Sequence, residues 1–167
     1  YCYEDIIAVV EGAGANLDTI LVPKIKCGCD VRFVDTLLSQ IEAKTGLGHR
    51  IGIEVLIEEA EGVMQVEEIA AASPRLEALI FGMGDYSASQ GIDPAAVSRD
   101  TGYPGDIWHY ARCKVVTAAR SHGLDAIDGP FVNFGNPEWF KVECKRALQL
   151  GMVGKWAIHP SQIAPAQ

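Results

Sequence analysis

Apolar positions along the chain switch repeatedly between two spacings. Between 3 and 15, Tyr3, Ile6, Ile7, Val10 and Ala13 recur at helical intervals and predict an amphipathic helix. Residues 17–23, LDTILVP, form a short apolar run closed by proline, the pattern of a buried strand. Val31, Val34, Leu37, Leu38 and Ile41 share one face of a helix over 30–44, and Gly46 is placed to stop it. IGIEVLI at 51–57 reads as the next strand, and 60–72 as a helix ended by Ser73-Pro74, because the residue before a proline avoids helical geometry. ALIFGM at 78–83 is a third strand. Trp108, Ala111, Val115 and Ala119 mark a helix over 106–121. A strand at 125–130, DAIDGP, precedes a helix opened by Asn136-Pro137 and ended near Leu150 by Gly151. KWAIHP, 155–160, is the last strand.

Five alternations of strand and helix, with no linker between them, predict a parallel sheet with crossover helices. The strands are apolar along their length, as expected when both faces are covered. A doubly wound open sheet and a closed barrel both satisfy this pattern. The rhythm breaks once, at 84–105, a connection of about twenty residues carrying Gly91, Pro94, Gly102, Pro104 and Gly105. Its length and turn-rich composition predict a mobile segment on the rim of a substrate site.

In either architecture the active site forms at the carboxyl ends of the strands. Those ends carry Lys24, Glu58, Asp85, Asp128 and His159, each able to bear charge or bind a metal. Glu58 and Asp85 are the sharpest pair. They follow consecutive strands, which in a parallel sheet lie roughly 5 Å apart. Two carboxylates so close repel unless a proton or a cation lies between them. Oxygen donors of this kind suit Mg²⁺, which takes one or two carboxylates and completes its octahedron with water and substrate oxygens. Gly82 and Gly84 flank Asp85 and let backbone and substrate approach. The competing reading has Glu58 capping the helix at 60–72. Lys24 suits a charged hydrogen-bond donor facing substrate, or a Schiff-base amine. Gly12-x-Gly14 and Gly82-x-Gly84 lack the third glycine of a dinucleotide fingerprint, and no Walker loop, H-E-x-x-H or G-x-S-x-G occurs. Trp108, Trp139 and Phe140 fit helix faces packed on the sheet.

Composition narrows the partners. The 167 residues include 14 Lys plus Arg against 22 Asp plus Glu, a net charge of −8, which disfavours binding to a phosphate backbone. No apolar run reaches the ~18 residues needed to cross a bilayer, so neither nucleic acid nor membrane is expected as a partner. The five cysteines contain one close pair, Cys27-Gly28-Cys29, a poor zinc site without a second pair nearby. They read as reduced thiols of a cytoplasmic protein.

IGIEVLIEEAEGV, ASPRLEALIFGMGDYSAS, GLDAIDGPFVNF and GKWAIHPSQI resemble the malyl-CoA lyase and citrate lyase β-subunit group of the HpcH/HpaI aldolase superfamily. The likeness runs from about Tyr1 to Gln167. ASPRL, the DIWHY helix and AIDGPF resemble the malyl-CoA and β-methylmalyl-CoA lyases more than the citrate lyase subunit. The resemblance implies a (β/α)₈ TIM barrel with a C-terminal lid, and Mg²⁺, with Mn²⁺ as a substitute, held by Glu58 and Asp85. It implies that His159 and Pro160 bind substrate beside the thioester, and the amides of Gly84 and Asp85, with Lys24, are further expected donors to the substrate. The family usually has Thr or Ser after the metal-binding glutamate, where this chain has Glu59. The implied activity is reversible cleavage of malyl-CoA-type thioesters to acetyl-CoA (or propionyl-CoA) and glyoxylate by a cytoplasmic trimer or hexamer. Citryl or citramalyl thioester cleavage, or a non-catalytic interaction module, are the alternatives.

The family barrel begins with three strands that do not occur here, the third bearing an arginine for the keto-acid carboxylate. A lid that supplies an aspartate to a neighbouring subunit is likewise not found. The chain therefore matches the last five β/α units of a barrel needing roughly 250 residues, and is expected to be a partial catalytic domain with unpaired edges at LDTILVP and KWAIHP. Alone, it is not expected to be a soluble active monomer.

Overall fold

The computed structural model describes residues 2–93 and 105–167. Five strands form one sheet: β1 Thr19–Val22, β2 Gly52–Ile57, β3 Leu76–Phe81, β4 Asp125–Asp128 and β5 Gly154–Lys155. Every pair is parallel, and the spatial order is β1-β2-β3-β4-β5. That order separates the two candidate architectures. A doubly wound sheet reverses direction at a switch point, giving non-sequential neighbours, whereas a barrel adds each strand to the same side of the last. The chain is an arc of five β/α units of a (β/α)₈ barrel, with β1 and β5 as its edges.

Both faces of the central strands are covered. Ile53, Val55, Ile57, Leu79, Ile80 and Phe81 have no exposed surface, as parallel strands between helices require. Helix α1, Cys2–Ala13, contributes Ile6 and Val10, and α2, Gly28–Thr45, contributes Val31, Val34, Leu38 and Ile41. Gly46 ends α2 in the left-handed region at φ 68°, where a side chain would be strained. At the amino end of the sheet Arg75, 3% exposed, binds Asp35 at 2.6 Å, Glu42 at 2.6 Å and the Ile51 carbonyl at 2.9 Å. The ASPRL segment is thus a clamp between α2 and the strands, far from the carboxyl ends.

Several elements differ from expectation. The helix expected at 60–72 divides into α3, Ala60–Met64, and α4, Val66–Ala70. The break falls at Gln65 (φ −106°, ψ 13°), and Val63 and Val66 on either side of it are both buried in the core. The connection expected from 84 opens instead as α5, Met83–Ser89, held by an edge-on Phe81–Tyr86 ring contact at 5.3 Å and a Ser87 Oγ bond to the Met83 carbonyl. Tertiary contacts stabilise a helix too short to stand on propensity. The mobile-rim expectation falls largely on 94–104, outside the described residues.

Helix α6, His109–Ser121, and α7, Pro137–Leu150, follow the expected pattern, and the Asn136 side chain accepts the Trp139 N–H at 3.2 Å. Phe140 is fully buried, but Trp139 is 54% exposed rather than packed on the sheet. The strand expected at 155–160 contracts to β5, after which the chain coils into a short 3₁₀ turn at Pro160–Gln162 and α8, Ile163–Ala166. Cys27 and Cys29 are joined in a disulfide, not free thiols. Cys27 is extended where it caps α2 and Cys29 lies in the first turn, which sets their Cα atoms 5.3 Å apart, within disulfide reach. No helix among the described residues is long and apolar enough to cross a membrane.

Candidate metal and active site

The register levels the carboxyl ends of the central strands: Ile57 pairs with Phe81, and Phe81 with Asp128. Glu58 is the first residue beyond β2 and is buried, at 7% exposure. Its Oε1 accepts the backbone N–H of Lys24 at 3.0 Å. Burial pushes its carboxyl above the ordinary value; the Lys24 N–H opposes that, and the Asp85 charge adds to it. Glu58 thus ionises against both low polarity and a second negative charge, the condition under which a cation is attracted. Gly82 is required beside it. A Cβ at residue 82 would sit 2.7 Å from the Glu58 Cβ and 3.1 Å from its Oε2.

Asp85 occupies the first turn of α5, where a negative charge complements the helix dipole. Its side chain is about half exposed and pairs with the Lys24 ammonium. The helix carrying it is pinned at two serines. Ser87 Oγ accepts the Trp108 indole N–H at 2.8 Å, and Ser89 Oγ accepts the Ala60 N–H at 2.9 Å. Gly84 lies next to Asp85, and a Cβ there would meet nothing within 4 Å, so the space beside it is open.

Lys24 joins the two carboxylates through different atoms, its backbone N–H to Glu58 and its ammonium to Asp85. Among the described residues it is the sole non-glycine with positive φ, at 55°. Such a conformation costs of order 1 kcal/mol or more and persists where surrounding structure imposes it. Here Ile25 is buried behind it, and the Ile25 carbonyl passes so close to Gly62 that a Cβ there would lie 2.5 Å away. Lys24 was expected from its strand-end position. Its backbone role has no sequence signal, since nothing in Pro-Lys announces a left-handed lysine.

The other strand-end residues separate from this group. Asp128 is fully buried and saturated: Arg112 reaches both its oxygens at 3.0 Å, and Lys155 reaches Oδ2 at 2.6 Å. It is a structural anchor, not a substrate ligand. His159 caps the turn that begins at Pro160, bonding Ser161 Oγ through Nδ1 at 2.8 Å, and its ring stacks on Phe134 at 4.7 Å. These contacts place His159 and Pro160 after the carboxyl end of β5 and do not join them to Glu58 or Asp85. Sequence reasoning missed Trp108, Ser87 and Ser89 as supports of α5, and missed Lys26, whose ammonium lies 3.7 Å from Glu59 and 3.2 Å from Glu61. Two open clefts, about 570 and 450 Å³, lie beside Gly46–Arg50 and beside Tyr110–Ser121, and neither includes Lys24, Glu58 or Asp85.

The donor set fits a hard divalent ion. Two carboxylates at one strand edge, with one Glu58 oxygen committed to an amide, leave the remaining positions to water and substrate, the habit of Mg²⁺. The described residues hold one cluster of three candidate ligands, Cys27, Cys29 and Asp30. Its sulfurs are bonded to each other, and Asp30 accepts the Lys26 and Cys27 amides.

The arc of a parallel barrel with two acids beside the carboxyl ends of β2 and β3 defines a TIM-barrel class of protein. The chain belongs to the HpcH/HpaI aldolase/citrate lyase family, whose model matches residues 3–160. It is 42% identical over 176 aligned residues to the L-malyl-CoA/β-methylmalyl-CoA lyase of Rhodobacter capsulatus, covering 99% of this chain and 55% of that one. It is 33% identical to the malyl-CoA/β-methylmalyl-CoA/citramalyl-CoA lyase of Chloroflexus aurantiacus, covering 98% of this chain and 52% of that one. The chain thus spans about half the length of the curated relatives it matches. Among solved structures it superposes, with TM-score 0.74 and 25% identity over 98% of this chain and 60% of the other, on the CitE protein of Mycobacterium tuberculosis in complex with magnesium and acetoacetate.

Proposed function

We propose that the protein is a divalent-metal-dependent carbon–carbon lyase that cleaves malyl-CoA-type thioesters to acetyl-CoA or propionyl-CoA and glyoxylate, and that residues 1–167 form part of its TIM-barrel catalytic domain. The observation that carries the reading is the pair of carboxylates that meet at Lys24, Glu58 one residue beyond β2 and Asp85 in the first turn of the helix that follows β3. The names of the curated relatives support the substrate class, and the magnesium complex of the structural neighbour supports the cofactor. Mg²⁺ is the proposed ion, with Mn²⁺ as a substitute.

Cleavage breaks the bond between the hydroxyl-bearing carbon and the carbon α to the thioester. The hydroxyl proton leaves, the aldehyde of glyoxylate forms, and the bonding pair passes to the thioester as an enolate that a proton then quenches. A divalent ion supplies Lewis-acid stabilisation of the charge that develops on oxygen. Glu58 and Asp85 would hold it, and burial of Glu58 with its bond to the Lys24 N–H fixes that carboxylate in place. The first-turn amides of Gly84 and Asp85 have no acceptor within the helix and are the proposed donors to the substrate's oxygens. Lys24 adds a positive donor beside them. His159 and Pro160 line the thioester side. The proposed enzyme is a cytoplasmic homo-oligomer, trimer or hexamer.

A second reading takes citramalyl thioesters, with pyruvate as product, in line with the name of the Chloroflexus aurantiacus relative. Malyl-CoA and citramalyl-CoA cleavage by the full-length protein, and by its Glu58→Gln and Asp85→Asn variants, tests both. Cleavage that needs a divalent ion and falls by about 10³-fold or more in each variant is expected, in line with the loss of electrostatic stabilisation. Undiminished turnover in either variant overturns the assignment.

A further inference from the structure

Lys24 has two acidic partners, not one. Its ammonium pairs with Asp85 and lies 3.6 Å from Glu59 Oε1. The other oxygen of Glu59 faces Lys26 at 3.7 Å. The Lys24 backbone is fixed by the bond of its N–H to Glu58 and by the buried Ile25, yet its side chain is 55% exposed. A fixed root and a mobile end place the ammonium within reach of either carboxylate without moving the chain. A divalent ion on Asp85 would face the ammonium at close range, and like charges at such separations repel strongly. Glu59 offers the nearest relief, because Lys26 holds its other oxygen.

We propose that Lys24 is a two-seat cation, neutralising Asp85 while the metal is absent and transferring to Glu59 when a divalent ion takes Asp85. The inference rests on the reading of Glu58 and Asp85 as metal ligands and adds to it a role for Glu59. Seated on Glu59, the ammonium remains beside the reacting oxygens as a donor. The exchange keeps two acids from lying uncompensated in the empty enzyme, at the expense of metal affinity.

Calorimetric titration of Mn²⁺ into the full-length protein without substrate tests this, using Lys24→Met, Glu59→Gln and the double variant, with circular dichroism to confirm folding. Lys24→Gln serves as a second removal of the charge. The expected result is Mn²⁺ binding about two- to fivefold tighter in Lys24→Met than in wild type, since the ion no longer displaces an ammonium worth an ordinary exposed pair. Glu59→Gln should weaken binding in the wild-type background and have less than half that effect when Lys24 is gone. Equal or weaker binding in both Lys24 variants overturns the proposal. So does an effect of Glu59→Gln that is the same in both backgrounds, which would mark Glu59 as a simple negative charge. Absence of Mn²⁺ binding in wild type would instead overturn the metal assignment, and this inference with it.

Discussion

Replacing Arg112 with Met removes the most heavily partnered cation in the core. The guanidinium is fully buried and donates to Asp128 through two bonds at 3.0 Å, to Glu143 at 2.8 Å and to Asp106 at 2.6 Å. Burial alone would lower its pKa, but the three carboxylates hold it above the ordinary arginine value. Each acid retains one other contact: Lys155 on Asp128, Arg146 on Glu143, and the Trp108 amide on Asp106. These partners soften the loss but leave three acids for two cations. Breaking a buried pair by removing one member costs about 3–5 kcal/mol, and the lost stacking of Arg112 on Trp108, at 5.3 Å, adds about 0.5–1 kcal/mol. Against a total of ~5–15 kcal/mol for a domain, the variant should fall close to the margin. Urea unfolding followed by circular dichroism measures this, with an unchanged slope certifying a comparable unfolded state. Arg112→Lys should lose less, because the charge survives while the paired donors do not. Lys44→Ala, which breaks an exposed pair with Glu11, should cost under ~1 kcal/mol. A loss below about 1 kcal/mol for Arg112→Met would refute the view of this network as the keystone behind β4.

Gly82→Ala should lower activity more than stability, because the new Cβ pushes on the Glu58 side chain; overpacking of this kind costs about 1–3 kcal/mol, and kcat beside a thermal midpoint separates the effects. Trp108→Phe removes the indole bond to Ser87, costs about 1 kcal/mol, and should loosen the helix that carries Asp85, read as a weaker Mn²⁺ affinity that Tyr86 packing does not restore. Hydrogen bonding to Arg75 holds the Glu42 carboxyl below its ordinary value of 4.5. A depressed folded-state pKa means stability that is complete above about 4.5 and is lost as pH falls through the folded value. Urea midpoints between neutral and acid pH should therefore drop less in Glu42→Gln than in wild type, and an equal drop would remove Glu42 from the acid response.

How much of this was visible in the sequence follows from which forces set each feature. Strands β2 and β3 are mostly apolar on both faces, α2 carries a full apolar stripe and a stop glycine, and α7 a capping Asn136 and a stop glycine, so burial and local geometry agreed and the elements were readable. That Glu58 and Asp85 meet, both on Lys24, was readable because the carboxyl ends of neighbouring parallel strands fall on one edge. Strand order was not, since the same β/α alternation serves open and closed sheets. Helix α5 was hidden because Gly84, Ser87 and Ser89 carry a turn-like composition, and only contacts with Phe81, Trp108 and Ala60 make it helical. Asp128 misled for the opposite reason. Its position matches that of a functional acid, but Arg112 and Lys155, distant in sequence, consume it. The Cys27–Cys29 bond likewise depends on the extended cap conformation, which spacing does not encode.

Anomalous diffraction from crystals of the full-length protein soaked in Mn²⁺ tests the central claim most directly. The account predicts one strong peak at the carboxyl ends of β2 and β3, bonded to one oxygen of Glu58 and one of Asp85 at roughly 2.0–2.2 Å, as hard-cation coordination requires, and its loss in Asp85→Asn. A peak at Cys27, Cys29 and Asp30, or one that touches neither Glu58 nor Asp85, would contradict it.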